Sequence, residues 1–171
     1  PAPVDTSGRY DSVLQRRRIT LARPAWTRMS DGWGGMAPTK EDLQILSALT
    51  QHADVNVNLA STMTLDFALH DTPVVNVGFD MRPERHLAPR YYRLDHYLPV
   101  LAFGAARVAT DATELAEHLN NYLRDPSLDR EGRQRFADFE LRIKPGNSVP
   151  TITRALEAIH DRAQFPIRAL Q

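Results

Sequence analysis

The stretch that decides the fold is Ala53–Asp80, which reads ADVNVNLASTMTLDFALHDTPVVNVGFD. Valines alternate with asparagines over residues 55–58, a pattern typical of a strand with two unlike faces. Ser61 follows at a position suited to a helix N-cap, and Pro73 ends the short helix just before the apolar run 74–77. The stretch therefore predicts a β-α-β unit, whose strands run parallel through a right-handed crossover.

The turn between the first strand and the helix is rich in hydroxyl groups. Ser61, Thr62 and Thr64 lie there, where free backbone N–H groups are expected to face outward and favour an anion such as phosphate. Asp66 comes four residues after Thr62, on the same helix face, where its carboxylate suits the hydroxyls of a ribose. The alternatives are ordinary helix capping for the hydroxyls and a solvated or structural helix charge for Asp66.

The rest of the chain alternates between helix and strand patterns. Four parallel strands are predicted near residues 18–22, 54–58, 73–77 and 107–109. Helices are predicted at 11–17, from an N-cap at Thr39, from a cap at Asp111, at 128–142 and from about 147. Leu43, Leu46 and Leu49 are expected to form a buried stripe on the second of these helices. The class predicted is α/β, with a Rossmann-like, mostly parallel sheet and helices on both faces.

Ligands of such sheets bind outside the carboxyl ends of the strands, which selects three loops: 23–38, 59–62 and 78–97. The last of these holds most of the unusual side chains. Arg82, Arg90 and His96 are candidate phosphate contacts, because guanidinium and imidazole groups donate hydrogen bonds to phosphate oxygens. His96 is also the one candidate for a catalytic role in proton transfer. The alternative is an ordinary solvated loop whose tyrosines cover the core.

Composition excludes several classes of function. The 171 residues carry 21 basic and 21 acidic side chains, so net charge favours neither nucleic acid nor anionic lipid as a partner. The chain has no cysteine, its histidines lack metal-ligand spacing, and no apolar run reaches the ~20 residues of a membrane span. It also lacks G-x-G-x-x-G and G-x-S-x-G, so neither NAD or FAD binding nor a hydrolase serine is expected. We expect no metal, no cofactor and no integral membrane segment.

Two segments resemble a known family. The string HADVNVNLASTMTLDFALHDTPVVNVGFD and the later EL-x(3)-L-x(2)-YL-x-DPS are similar to the C-terminal, donor-binding domain of GT-B glycosyltransferases. The resemblance is greatest to bacterial surface-polysaccharide glycosyltransferases and to CDP-glycerol glycerophosphotransferases. It implies that Ser61 and Thr62 bind the phosphates of a nucleoside-diphosphate donor and that Asp66 binds its ribose. It covers roughly residues 18–160, with the specific match in 52–80.

The resemblance also implies that residues 1–171 are a single nucleotide-donor-binding domain and a fragment of a larger two-domain protein, truncated at its N-terminus. The missing N-terminal domain would carry the acceptor site and the general base, so the isolated chain is expected to be inactive. The expected location is the cytoplasm, with peripheral attachment to the inner membrane face through the missing part. Two alternatives remain open: a non-catalytic α/β module that binds a nucleotide or a protein, and a domain like that of nucleotide-sugar epimerases.

Overall fold

The computed structural model describes residues 19–20, 22, 24–31, 35–80, 88–141 and 146–164. The chain divides into two compact units, residues 1–54 and 55–171. That residues 1–171 form one donor-binding domain stays a prediction. The predicted helix at 11–17 lies outside the described residues. Of the predicted strand at 18–22, the described residues Ile19, Thr20 and Ala22 are not in a strand.

The first unit contains a short antiparallel pair of strands and one helix. Strand β1 (Thr27–Arg28) pairs with β2 (Met36–Ala37), within the segment predicted to be a loop. Helix α1 spans Lys40–His52 and begins with the predicted cap at Thr39. The Thr39 hydroxyl accepts from the Asp42 N–H at 3.2 Å, while the Thr39 N–H donates to the Asp42 carboxylate at 2.8 Å. This reciprocal pair is a capping box, and it satisfies two N–H groups of the helix start.

The predicted buried stripe on α1 is wrong. Leu43 and Leu49 are 53% and 49% exposed, and the buried residue of the helix is Thr50. The predicted helix is present, but the spacing of apolar residues shows only which of them share a face. It does not show whether another element covers that face. The two strands of this unit have two residues each, and they are too small to cover a helix of 13 residues.

The second unit is built on a parallel sheet of three strands in the order β3-β4-β5. These are Asn56–Asn58, Val74–Val77 and Arg107–Ala109. In the register, Val57 lies opposite Val75, and Asn76 lies between Asn58 and Val108. The β-α-β unit and the parallel pairing of three of the four predicted strands are therefore confirmed.

Six helices complete the description of this unit. They are α2 (Met63–Leu69), α3 (Ala88–Tyr91), α4 (Leu98–Ala102), α5 (Ala112–Arg124), α6 (Arg130–Glu140) and α7 (Ser148–Gln164). Four of them, α2, α5, α6 and α7, were predicted, whereas α3 falls in the predicted loop 81–97 and α4 directly after it. Within the described residues, no helix combines the length and the apolar character needed to cross a bilayer.

Alternation along β4 places Val75 on one face of the sheet and Val74 with Asn76 on the other. Val75 and Ala109 form a buried cluster with Tyr122 of α5, and Leu115 and Leu119 pack against it. Asn58 lies on the other face and contacts Thr64 of α2, so helices cover both faces of the sheet. Leu123 is 57% exposed, because it lies about 100° around α5 from the buried Tyr122.

A buried ion pair joins α2 to α6. Arg133 of α6 is fully buried, and its Nη2 lies 2.7 Å from the carboxylate of Asp71, in the turn after α2. The same guanidinium donates to the carbonyl oxygens of Leu128 at 2.6 Å and Pro126 at 2.9 Å. All of its contacts are charge-assisted hydrogen bonds, the kind that offsets the cost of burying a cation. The pair therefore fixes α2, the loop before α6, and α6 itself relative to one another.

A glycine allows α6 to approach the end of α4 closely. A Cβ atom at Gly132 would lie 2.5 Å from the carbonyl oxygens of Phe103 and Gly104. No other residue fits at that distance, so the spacing between α4 and α6 depends on the glycine.

We predict that Arg133→Ala lowers the free energy of unfolding by about 1–3 kcal/mol, because the carbonyl groups of Leu128 and Pro126 lose their buried donor while Asp71 keeps its pair with Arg130. Urea denaturation at neutral pH measures this. Arg135→Ala is the matched control. It removes an exposed pair with Glu131 at 3.8 Å, two residues along the same helix, and should cost less than ~0.5 kcal/mol. Equal losses for the two variants would contradict the role given to Arg133.

A second carboxylate makes folding sensitive to acid. Asp129 accepts hydrogen bonds at 2.7 Å from Arg107 Nε and from the Tyr122 hydroxyl. Burial acts to raise the pKa of Asp129, but these two donors and the Arg107 charge hold it below the usual value. Asp129 also has a left-handed backbone, with φ of 59°.

Because the folded-state pKa is lowered, Asp129 contributes stability above the usual carboxyl pKa of about 3.9. That stability is lost as pH falls through the lower, folded-state value. We predict that Asp129→Asn flattens the loss of unfolding free energy below about pH 4. Asparagine tolerates the left-handed conformation, so backbone strain does not confuse the comparison. Parallel pH curves for the variant and the wild type would show that Asp129 does not contribute.

Candidate functional site

A cavity of about 150 Å³ lies beyond the carboxyl end of β3, the edge where the sequence predicts a site. Polar groups come from the start of α2 and from the turn between α3 and α4: Ser61, Thr62, Thr64, His96 and Tyr97. The remaining lining consists of Leu65, Val100, Phe136 and Glu140. At ~30 Å³ per water, the volume holds about five waters. Such a cavity admits one end of a nucleotide-sized ligand and not the whole molecule.

The turn that leads into the cavity is held by Asn58. Its side-chain oxygen accepts from the Ser61 N–H at 3.1 Å, and its amide nitrogen donates to Asn56 at 2.7 Å. Ala60, which lies between Asn58 and Ser61 in the chain, has a φ of 44°, in the left-handed region. This conformation costs a non-glycine residue about 1–2 kcal/mol, and such strain is concentrated at functional sites.

The backbone N–H groups at the start of α2 do not face the cavity as free donors, contrary to our expectation. The Met63 N–H donates to the Ser61 hydroxyl at 3.2 Å, and the Thr64 N–H donates to the Ser61 carbonyl at 3.0 Å. By its backbone the cap residue is Thr62, one position later than predicted. The side chain of Ser61 nevertheless caps the helix. The Met63 and Thr64 N–H groups are therefore engaged within the turn, and the hydroxyl groups of Ser61 and Thr62 are donors that remain for a ligand.

Thr64 is fully buried beneath the cavity wall, and its hydroxyl is already engaged. It lies 3.0 Å from the Tyr97 hydroxyl and 3.2 Å from the Asn58 amide nitrogen. Burial raises the pKa of Tyr97, while the bond to Thr64 and the nearby Asn76 act in the opposite direction. Tyr97 is thus a neutral phenol that joins the α3–α4 turn to α2. Direct phosphate contact by Thr64 would require this bond to open.

The structure brings together some of the predicted site residues and separates others. Ser61, Thr62 and His96 line the same cavity, although His96 lies over 30 positions away in the sequence. Asp66 is half-buried on α2 outside the lining, where burial raises its pKa and the charge of His70 acts to lower it. Arg90 is exposed on α3, also outside the lining. Arg82 lies outside the described residues.

The charge of the cavity differs from that expected of a phosphate site. Glu140 lies at the lining with His96, and the described lining residues include neither arginine nor lysine. A diphosphate therefore meets hydroxyl groups and an imidazole there, with one carboxylate opposing it. Hydroxyl-bearing groups meet no such opposition.

Sequence reasoning missed several residues of this site. Asn58 had a usable signal, because an asparagine at the end of a strand commonly bonds the backbone of the following turn. Tyr97 was interpreted only as a cover for the core. Phe136 and Glu140 reach the cavity from α6, some 75 residues after Ser61, and no local pattern marks them.

Comparison with known protein families, with curated proteins and with solved structures finds no match to this chain. Among the described residues, no group of three or more His, Cys, Asp or Glu side chains is arranged to hold a metal ion.

We predict that Tyr97→Phe lowers the free energy of unfolding by about 0.5–1.5 kcal/mol, because the buried Thr64 hydroxyl loses one of its two partners. Chemical denaturation measures the difference. Tyr91→Phe is the matched control, since Tyr91 is 43% exposed and its variant should be neutral. A neutral Tyr97→Phe would mean that the Thr64–Tyr97 bond does not hold the cavity wall.

Proposed function

We propose that this chain is the donor-nucleotide-binding half of a GT-B glycosyltransferase. The reaction is transfer of a sugar or related group from a nucleoside-diphosphate donor to a cell-surface polysaccharide acceptor. One observation carries the proposal: Ser61 and Thr62 share a cavity with His96 beyond the carboxyl end of β3. Parallel α/β sheets bind nucleotides at this edge, and the family resemblance also selects Ser61 and Thr62 for the phosphates.

In the proposed complex, the hydroxyls of Ser61 and Thr62 donate hydrogen bonds to phosphate oxygens of the donor. His96 lies across the cavity and donates to the departing diphosphate, which stabilises the charge that develops as the glycosidic bond breaks. Only one end of the donor fits in about 150 Å³. The nucleoside therefore lies over the outer surface of α2, where Asp66 is half-exposed and accepts from ribose hydroxyls.

The proposal also requires a second domain for catalysis. Group transfer needs an acceptor hydroxyl, a base that removes its proton, and donors for the leaving group. The described cavity supplies only the last of these. The proposed enzyme acts in the cytoplasm or at the inner face of the membrane, where nucleotide-activated donors are available.

A second candidate is a non-catalytic module that binds a neutral ligand. The observation that favours it is the lining of the cavity, with Glu140 present and no described arginine or lysine. The same fold would then bind a hydroxyl-bearing molecule without transferring anything. Affinity for nucleoside diphosphates separates the two candidates.

We predict that the full-length protein binds CDP or UDP in calorimetry and that Ser61→Ala with Thr62→Ala weakens binding tenfold or more. Each hydroxyl lost from a charged phosphate costs about 1.5–3 kcal/mol, and 1.4 kcal/mol is tenfold in affinity. Thr113→Ala removes an exposed hydroxyl far along the sequence and serves as the control. A change within twofold for the double variant would show that the phosphates bind elsewhere.

Asp66→Asn provides a second arm of the same measurement. If the carboxylate binds ribose, nucleotide affinity falls by about 1–3 kcal/mol while the thermal midpoint stays close to that of the wild type. If Asp66 instead holds α2 in place, the midpoint falls and the affinity of the folded protein stays unchanged. The second pattern would remove Asp66 from the site.

A further inference from the structure

One buried polar side chain has no role in the fold as described. Asn76, in the central strand β4, is fully buried, and neither its amide nitrogen nor its amide oxygen has a hydrogen-bond partner among the described residues. Leaving both groups of an amide unpaired costs free energy that an apolar side chain of similar size would not cost. The neighbouring Asn58, by contrast, is fully engaged with Asn56, Thr64 and the Ser61 N–H.

The position of Asn76 connects it to the cavity. It pairs with Asn58 in the register of the sheet, so both side chains project on the face covered by α2. Its amide lies close enough to the Tyr97 hydroxyl to oppose the effect of burial, which raises the pKa of that group, but not in hydrogen-bonding geometry. The Tyr97 hydroxyl lies 3.0 Å from that of Thr64. Thr64 and Tyr97 both line the cavity. This bonded pair therefore separates the Asn76 amide from the cavity.

We propose that Asn76 is a specificity residue that binds a hydroxyl of the transferred group, once that hydroxyl enters between Thr64 and Tyr97. The inference rests on the proposed function and names the part of the donor that this cavity recognises. An amide offers one acceptor and two donors, so it can both donate to and accept from a single hydroxyl. A diphosphate oxygen only accepts, and the amide oxygen would repel it.

The rest of the cavity fits the same group. The hydroxyls of Thr64 and Tyr97 can each donate or accept, and Glu140 accepts at the lining. Several hydroxyls of one sugar or glycerol unit would find partners in this set. The phosphates then lie nearer to Ser61 and Thr62. This arrangement also accounts for the absence of described arginine and lysine from the lining.

The first measurement compares two asparagines on one sheet face in the ligand-free protein. Asn76→Val removes an unpaired amide and places a β-branched side chain in a buried strand, so its thermal midpoint should equal or exceed that of the wild type. Asn58→Val is the matched control and should lower the midpoint, because it breaks three bonds. A comparable loss for Asn76→Val would show that its amide has a structural partner, and would overturn the inference.

The second measurement uses calorimetry of the full-length protein with paired probes: UDP with UDP-glucose, and CDP with CDP-glycerol. In the wild type, the compound bearing the transferred group should bind more tightly in at least one pair. Asn76→Val should reduce that advantage tenfold or more and leave binding of the bare diphosphate within twofold. An advantage that persists in Asn76→Val, or is missing in the wild type, would overturn the inference while diphosphate binding upholds the proposed function.

If none of the four nucleotides binds, the proposed function is overturned. Whether Asn76 binds a hydroxyl group is then tested separately. Glycerol then serves as the probe, and the thermal midpoint is followed in its presence. As an excluded solute, glycerol raises the thermal midpoint of any protein, and this general effect should be the same for the wild type and for Asn76→Val. A larger gain for the wild type supports hydroxyl binding by Asn76, and equal gains overturn it.

Discussion

The structure of the second unit depends on the contact between the buried guanidinium of Arg133 and the carboxylate of Asp71. Residues from the start of α2 form one wall of the cavity, and Phe136 and Glu140 of α6 form another. Asp71 follows the end of α2, and Arg133 lies one helical turn before Phe136. The ion pair therefore helps to hold α2 and α6, the helices that carry these two walls, next to each other. Arg133 is fully buried, whereas the Asp71 side chain is 32% exposed and also pairs with Arg130.

Chemistry and stability are divided between the two faces of β4. Val75 packs into the apolar cluster with Tyr122, whereas Asn76, one residue later, faces α2 with its amide unpaired. The strained Ala60 lies in the turn after β3, which leads into the cavity. Unpaired amides and left-handed alanines both cost free energy, which the burial of Val74 beside Asn76 and of Val75 on the opposite face helps to offset. Proteins commonly show this division at binding sites.

The sequence predicted those parts of the fold that local chemistry determines. Pro73 and the valines of 74–77 marked the parallel strand, and Thr39 marked a helix start. The strands at Thr27–Arg28 and Met36–Ala37 gave no signal, because two residues are too few for a period. The exposure of Leu43 depends on what covers the helix, which spacing does not show. In the site, residue type was enough to predict Ser61 and His96. That Glu140 lines the same cavity depends on how α6 packs, which no local pattern shows.

The edges of the sheet have a consequence for contacts between molecules. Among the described residues, β3 and β5 each pair with β4 alone, so each has a row of main-chain groups without a neighbouring strand. Val57, in the middle of β3, is 44% exposed, and the strand carries no charge that would repel another chain. Such an edge is a template for strand addition between molecules. Within the described residues this edge of β3 is therefore open to strand addition, which a lysine in place of Val57 would oppose.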